Sequence, residues 1–381
     1  MEFNQKVSII AAERLPIGKV NGMLQNAQPE SLYTELVVQQ LKKKAISLDE
    51  IDQVYLGNVM NQGGNLARRC ALAAGLSPTV SAQTIDCQCA SGLTAIIDGA
   101  ANILAGNAKM VLTGGVESNS NANTIFDCIT GKKSQRYPMT AGPYLDQDVG
   151  VIADAQAVKY GLTRKQIDYF AYMSQRKAYT AFSKGLLTPE ILAYKRLIQD
   201  ECPRFNTTVE VLGQLKSAFT PAGVCTAGNS CPINDGASSV ILKKYTAAEP
   251  TAGYLLGSEL LGCSPEEFIL GPVYATQKLL RRFNLRVEQL AAVELNEAFA
   301  VQALLCQKKL QIPAEKLNIL GGALAYGHPY GATGGILVTH LLNILNRLKR
   351  PALGLVTLCV AGGLGASLLI GNAYWSEEDN A

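Results

Sequence analysis

Histidine is scarce. Two occur in 381 residues, His328 and His340, so any acid–base scheme built on imidazole has little choice of residue. Charge is sparse too, at 17% of residues with a formal net charge of +3; with 48% hydrophobic residues this excludes a disordered chain and a broad nucleic-acid footprint. Apolar runs are interrupted by Gly, Asn, Lys or Asp well before membrane-spanning length, so no transmembrane helix is expected. The residues ahead of Val7 lack the long apolar stretch of a signal peptide and read as a short lead into a strand, which points away from export. The ten cysteines are irregularly spaced and form no metal-like pair of pairs, so neither a zinc site nor a disulfide framework is expected. Reduced thiols in a cytoplasm fit better.

A chain this long implies two or more compact units. Its first third alternates short β-rich runs with amphipathic segments, at Val7 to Ala12, Leu32 to Ala45, Val54 to Leu56 and Ala67 to Ala74, the rhythm of an α/β protein. Two echoes suggest duplication. Glu50-Ile51-Asp52 ahead of Val54-Tyr55-Leu56-Gly57 is matched by Val287 to Leu290 ahead of Val293-Glu294-Leu295-Asn296. Asp235 to Leu242 is matched by Leu364 to Ile370, each a glycine turn leading into an apolar strand. Between Ser120 and about Gly223 the texture turns polar and aromatic, with a helix expected over Arg164 to Phe182. So long an insertion reads as a lid or subdomain, since long structureless loops are rare in compact domains.

Four segments carry candidate chemistry. Thr84 to Leu93 runs from a β-like segment into small residues and then an apolar-periodic helix, with Cys89 at the turn. A thiol at a helix N-terminus has a lowered pKa and suits covalent catalysis, but Cys87 and Cys89 read equally well as small buried residues. His328 is flanked by glycine and proline on a tight loop that can aim its ring into a site, whereas His340 falls among Ile336, Leu337, Val338, Leu341 and Leu342 and reads as structural. Cys359 closes the apolar strand Leu355 to Leu358, and the turn Val360 to Gly365 can present backbone N–H donors as an oxyanion hole. Asn296 follows a strand and precedes a helix, as an N-cap or as a holder of water.

Cys89, Asn296, His328 and Cys359, in this order, resemble the thiolase family, and the resemblance runs from Val7 through Ile370. Supporting stretches are Arg14 to Gly18, Gly114 to Ser118, Thr226 to Asn229 with Ile233 to Gly236, and Gly271-Pro272. The resemblance implies a five-layered α-β-α-β-α fold of two similar halves. Residues 1–118 and 216–248 would form the first half, 119–215 an inserted loop domain covering the site and binding coenzyme A, and 249–381 the second half. It implies that Cys89 is the acylated nucleophile, that His328 activates it, and that Cys359 moves the α-carbon proton of the second thioester. Asn296 would position a water; His328 and that water would form one oxyanion hole, and the backbone N–H groups of Cys89 and Ala361 the other. Arg204 would lie near the nucleotide end, or be an ordinary surface arginine, and Ala298 and Phe299 would line the pantetheine tunnel.

Ser230-Cys231-Pro232 stands where thiolases usually have Ala-Ser-Gly, so Ser230 and Cys231 meet pantetheine with a thiol in place of a hydroxyl. Ala361 replaces a usual glycine, and Asp148-Val149-Gly150 a usual His-Met-Gly. No metal and no tightly bound cofactor are implied, with coenzyme A as substrate and product. The expected partners are acyl-CoA molecules and further copies of the chain, as a homodimer or homotetramer with a contact around Gln135 to Tyr144. Neither nucleic acid nor membrane is among them. The competing enzyme reading is a decarboxylating ketoacyl synthase, which uses two histidines where Asn296 and Cys359 stand. A non-catalytic acyl-CoA-binding relative is the third.

Overall fold

The computed structural model describes residues 6–61, 63–134, 136–247 and 249–376. The residues ahead of Lys6, Gln135 and Ala248, on which parts of the reading above fall, lie outside that description. The first half contains β1 (Val7–Arg14), β2 (Gly18–Lys19), α1 (Pro29–Lys44), β3 (Gln53–Gly57), α2 (Leu66–Ala73), β4 (Ser81–Ile85), α3 (Ser91–Leu104) and β5 (Met110–Ser118). Next come β6 (Ile125–Phe126), β7 (Lys133–Ser134), α4 (Val149–Lys159), α5 (Arg164–Ser183) and α6 (Val209–Gly213), before the chain returns at β8 (Asn234–Lys244). The second half contains β9 (Gly253–Gly262), α7 (Gly271–Arg282), β10 (Ala292–Leu295), α8 (Ala300–Leu310), α9 (Ala323–Tyr326), α10 (Tyr330–Arg347), β11 (Leu353–Val360) and β12 (Leu364–Asn372).

Local chemistry explains the elements. α1 opens on Pro29, buries Leu32, Tyr33, Leu36, Val37 and Leu41 on one face, and places Lys42, Lys43 and Lys44 at the negative end of its dipole. α5 starts on a capping box between Thr163 and Gln166 and covers the helix expected from sequence.

The duplication is visible in the strand order. One half-sheet runs β1-β8-β5-β3-β4, and the other β9-β12-β11-β10, with Leu317 bridged beside Val293 where a fifth strand would lie. Both sequence echoes fall on matching elements: a short helical turn ahead of β3 and of β10, and the strands β8 and β12. The half-sheets are continuous, joined by three pairs between β1 and β9 at Val7, Ser8 and Ile9. α3 and α10 pack between them, α1 and α2 cover the outside of the first, and α7 the outside of the second, giving five layers. The central core is built from α3, α10 and the inner faces of both half-sheets.

α3 and α10 meet at glycines. A Cβ on Gly92 would stand 2.4 Å from the Gly331 carbonyl, and one on Gly334 2.1 Å from the Leu93 nitrogen. No other residue permits so close a crossing. Cys89 precedes α3 and His328 precedes α10, so this crossing sets their relative position.

Candidate active site

Cys89 stands on a rigid turn. Gln88 adopts a left-handed φ of 48°, Ala90 N–H donates to Cys87 O at 3.0 Å, and the Ser91 hydroxyl accepts from Cys87 N–H at 2.9 Å and donates to Gln88 O at 2.6 Å. The thiol is approached by two backbone N–H groups, that of Ala361 and its own. These favour the thiolate, yet burial outweighs them and pushes the thiol up to about 12, with Cys87 and Glu117 adding to the rise. The lowered pKa expected from the helix terminus is therefore corrected. α3 begins only at Ser91, and the apolar surroundings cost the thiolate more than the two donors return.

His328 is 2% exposed. Its backbone N–H reaches Pro232 O at 3.2 Å and Asn234 Oδ1 at 3.0 Å, and its Nδ1 lies 2.7 Å from Thr333 Oγ1. Nε2 has no hydrogen-bond partner among the described residues. Burial lowers the imidazole to about 4, so it is neutral at pH 7 and its Nε2 can take a proton. Its ring meets Tyr330 edge-on at 5.2 Å, and Tyr330 in turn senses Cys231, Cys89 and Glu117. Imidazole and nucleophile thus share one neighbour.

Cys359 is 1% exposed, and burial pushes its thiol well up, helped by Cys89, Cys306 and Cys231. Asn296 lies on the adjacent strand end: Leu295 pairs with Thr357, and Asn296 N–H donates to Thr357 O at 3.0 Å. The N-cap reading of Asn296 fails because α8 starts at Ala300 after Phe299. Its amide Nδ2 and Oδ1 are both buried without a partner among the described residues. Ala361 avoids positive φ, which the turn confines to Gly362 and Gly363, so alanine is accommodated with its N–H in place.

The segments read as pantetheine contacts are adjacent. Ser230 and Phe299 form a β-bridge, Cys231 N–H donates to Ala298 O at 3.0 Å, and the Ser230 hydroxyl is buried without a partner among the described residues. Burial and the Cys89 thiol push Cys231 upward. Arg204 is exposed and lines, with Lys19, a cleft of about 220 Å³. The inner wall of that cleft includes Pro232, Ile233 and Asn234, two of which hold the His328 backbone. Asp148 caps α4 through Gly150 N–H at 2.8 Å.

Sequence reasoning assigned no role to Thr333, Tyr330 or Glu117. Thr333 and Tyr330 lie in the glycine-rich stretch around His328, and a hydroxyl five residues past a histidine at a helix start was the available signal. Glu117 has none in its local pattern. Its buried carboxyl accepts from Val59, Met60 and Gly331 N–H at 3.1, 2.7 and 2.9 Å, which ties β3 and β5 to the start of α10. His340 is buried, kept neutral, and stacked on Tyr326 at 5.6 Å, as its helical setting implied.

Residues 7–246 match the model of the thiolase N-terminal domain and residues 250–372 that of the thiolase C-terminal domain. The chain is 35% identical to the acetyl-CoA acetyltransferase of Escherichia coli K12, over 95% of this chain and 98% of that one. It is 34% identical to peroxisomal 3-ketoacyl-CoA thiolase A of Mus musculus, over 95% and 89%. The crystal structure of the Bacillus anthracis acetyl-CoA acetyltransferase superposes with a TM-score of 0.89 at 32% identity, covering 97% of this chain and 99% of that one. Human mitochondrial 3-ketoacyl-CoA thiolase superposes at 0.90 and 29% identity, covering 97% and 100%. The chain belongs to the thiolase family and is an acyltransferase.

Proposed function

We propose that the chain interconverts two acetyl-CoA molecules with acetoacetyl-CoA and free coenzyme A, or cleaves longer 3-ketoacyl-CoA thioesters, through an acyl group carried on Cys89. The observation that carries this reading is the convergence of a half-buried thiol, two backbone N–H groups and a neutral imidazole whose Nε2 has no partner among the described residues, from segments far apart in the chain.

A thiol with a pKa near 12 is not ionised at rest. His328 Nε2 takes its proton as Cys89 attacks the thioester carbonyl, and returns it to the departing coenzyme A sulfur. Attack by this sulfur puts the carbonyl oxygen between the N–H groups of Cys89 and Ala361, because those donors flank the sulfur itself. In the second half-reaction Cys359 passes its thiol proton to His328 Nε2 and, as thiolate, takes the α-proton of the incoming acetyl-CoA. The enolate oxygen is held by the protonated His328 and the water on Asn296, and the carbanion attacks the acyl carbon on Cys89. Cys89 leaves as thiolate and recovers its proton from His328. Thiolysis is the reverse.

Residues 119–215 would form the lid over this site, with 1–118 plus 216–248 and 249–381 as the two halves. In support, Met139 O lies 2.6 Å from where a Cβ on Gly362 would stand, so the insertion abuts the turn that follows Cys359. Arg204 would take coenzyme A phosphate at the cleft mouth, and Ser230, Cys231, Ala298 and Phe299 its pantetheine. A homodimer or homotetramer is expected, since β4, which leads into the Cys89 turn, is an exposed edge strand that a second copy can cover. All ten cysteines are free, which suits a reducing cytoplasm.

The test is label exchange between coenzyme A and acetyl-CoA, together with acetoacetyl-CoA thiolysis, in wild type and Cys89→Ala. Both activities in wild type and neither in the variant support the reading. Condensation only with malonyl thioesters would instead mark a decarboxylating synthase, and binding without turnover a non-catalytic relative.

A further inference from the structure

A small cavity lies beside Asn296 and is not lined by Cys89, Cys359 or His328. Its lining includes Glu294, Asn296, Tyr326, Thr333 and His340, and its volume of about 20 Å³ has room for one water. Three buried polar atoms of its lining residues lack a hydrogen-bond partner among the described residues: Glu294 Oε1 and Asn296 Nδ2 and Oδ1. Buried polar groups are nearly always paired, so three bare atoms at one water-sized space mark a water site. Glu294 is 1% exposed and stands two residues before Asn296, on the same face of the strand line.

We propose that Glu294 is a positioning residue that acts through one water in this cavity, fixing the Asn296 amide with Oδ1 toward the cavity and Nδ2 toward the second thioester. As a carboxylic acid, Glu294 donates to the water, and the water donates to Asn296 Oδ1. Nδ2 then points to the reacting side, where a donor is needed for the water that stabilises the enolate. As a carboxylate, Glu294 would accept from the water and leave its oxygen free to accept from Nδ2. The amide would then turn its acceptor to the substrate.

The groups facing Glu294 favour the acid. Burial pushes its carboxyl well above the ordinary range, and Glu297 and Glu190 push the same way against Lys177 of α5. Arg14 of β1 is occupied by Glu190 at 2.9 Å and Asp200 at 2.7 Å. His340 of α10 lies 3.2 Å from Glu190, but burial and Arg14 keep its ring neutral, so it supplies no charge. Tyr326 of α9 stacks on His340 and donates to Leu320 O. Thr333, the partner of His328 Nδ1, lines the same cavity, so one space adjoins the supports of both enolate-stabilising groups.

The inference rests on the two-step thiolase reading above, and its test separates the two. Wild type, Glu294→Gln and Glu294→Leu are compared in acetyl-CoA/coenzyme A exchange, which uses the Cys89 and Ala361 oxyanion donors and His328 but not Asn296, and in acetoacetyl-CoA thiolysis from pH 6 to pH 10. Glu294→Leu should lower kcat for thiolysis about thirtyfold with KM little changed, because one oxyanion support is lost, while exchange stays within about twofold. Glu294→Gln keeps a neutral donor of the same shape. It should retain most of kcat and remove an alkaline inflection that wild type shows, and it decides the matter even if Glu294→Leu does not fold. Equal loss of both reactions in Glu294→Gln, or an unchanged alkaline inflection in it, overturns the role of Glu294. Wild type that fails to exchange, or exchange that survives Cys89→Ala, overturns the thiolase reading instead.

Discussion

The two halves share one strand order, yet matching positions in them have opposite surroundings. Asn58 follows β3 as Asn296 follows β10. Asn58 Nδ2 donates to Val116 O at 2.8 Å and Glu117 Oε1 at 3.0 Å, and its Oδ1 accepts from Asn61 N–H at 3.1 Å. The Asn296 side chain has no hydrogen-bond partner among the described residues. Register extends the parallel: Gly57 pairs with Gly115 and Leu295 with Thr357, so Glu117 and Cys359 stand at matching points two residues further on. Glu117 is filled with backbone donors, whereas Cys359 is surrounded by other thiols. One copy of the motif spends its polar groups on holding the fold. The other leaves them free for a ligand, as a site must.

Substitutions at the matched pairs should separate the two roles. The largest effect is expected at Cys359: Cys359→Ala should lower acetoacetyl-CoA thiolysis about a thousandfold, the scale of a lost acid–base group. Its urea midpoint should barely move. Glu117→Ala should do the reverse, costing about 3 kcal/mol in urea unfolding because the N–H groups of Val59, Met60 and Gly331 lose their acceptor. Comparable destabilisation by both substitutions would break the comparison.

The asparagines offer a finer test. Asn296→Ala should lower kcat about a hundredfold with stability within about 1 kcal/mol of wild type, whereas Asn58→Ala should lose about 2 kcal/mol of stability. A stopped-assay rate and a melting curve for each decide it.

Titration follows with a smaller effect. His328 is lowered from 6.5 to about 4, so its neutral burial contributes stability fully above pH 6.5, and that contribution is lost as pH falls through 6.5 toward 4. His340, lowered to about 3, adds to the same acid-side loss. Glu117, raised to about 7, works in the opposite direction, its contribution falling as pH rises from 4.5 to 7. The kcat/KM profile should therefore carry no His328 inflection near 6.5. Finding one there would mean a solvated imidazole and a different site.

The smallest change is expected where β11 turns into β12. Ala361→Gly should alter kcat less than twofold and cost about 0.5 kcal/mol of stability, because Ala361 already avoids positive φ and glycine only loosens the unfolded chain. A larger rate change, measured in the thiolysis assay, would show that this N–H is misplaced by the side chain.

Much of this was written locally. The periodicity of Leu32 to Ala45 and Arg164 to Phe182 determined α1 and α5, and the echo of Asp235 to Leu242 in Leu364 to Ile370 determined that the halves share a plan, because hydrogen bonding and apolar spacing act over a few residues. The glycine–proline setting of His328 and the strand-end setting of Cys359 marked them as candidates for the same reason. The tertiary structure alone decided which polar atoms stay bare. No local pattern distinguishes Asn296 from an N-cap or from Asn58, since satisfaction depends on partners such as Val116 and Glu117 that reach Asn58 from another strand. It also reversed the expected pKa of Cys89. A helix terminus acts along one short segment, whereas the burial that raises this thiol is a sum over side chains brought together from both halves.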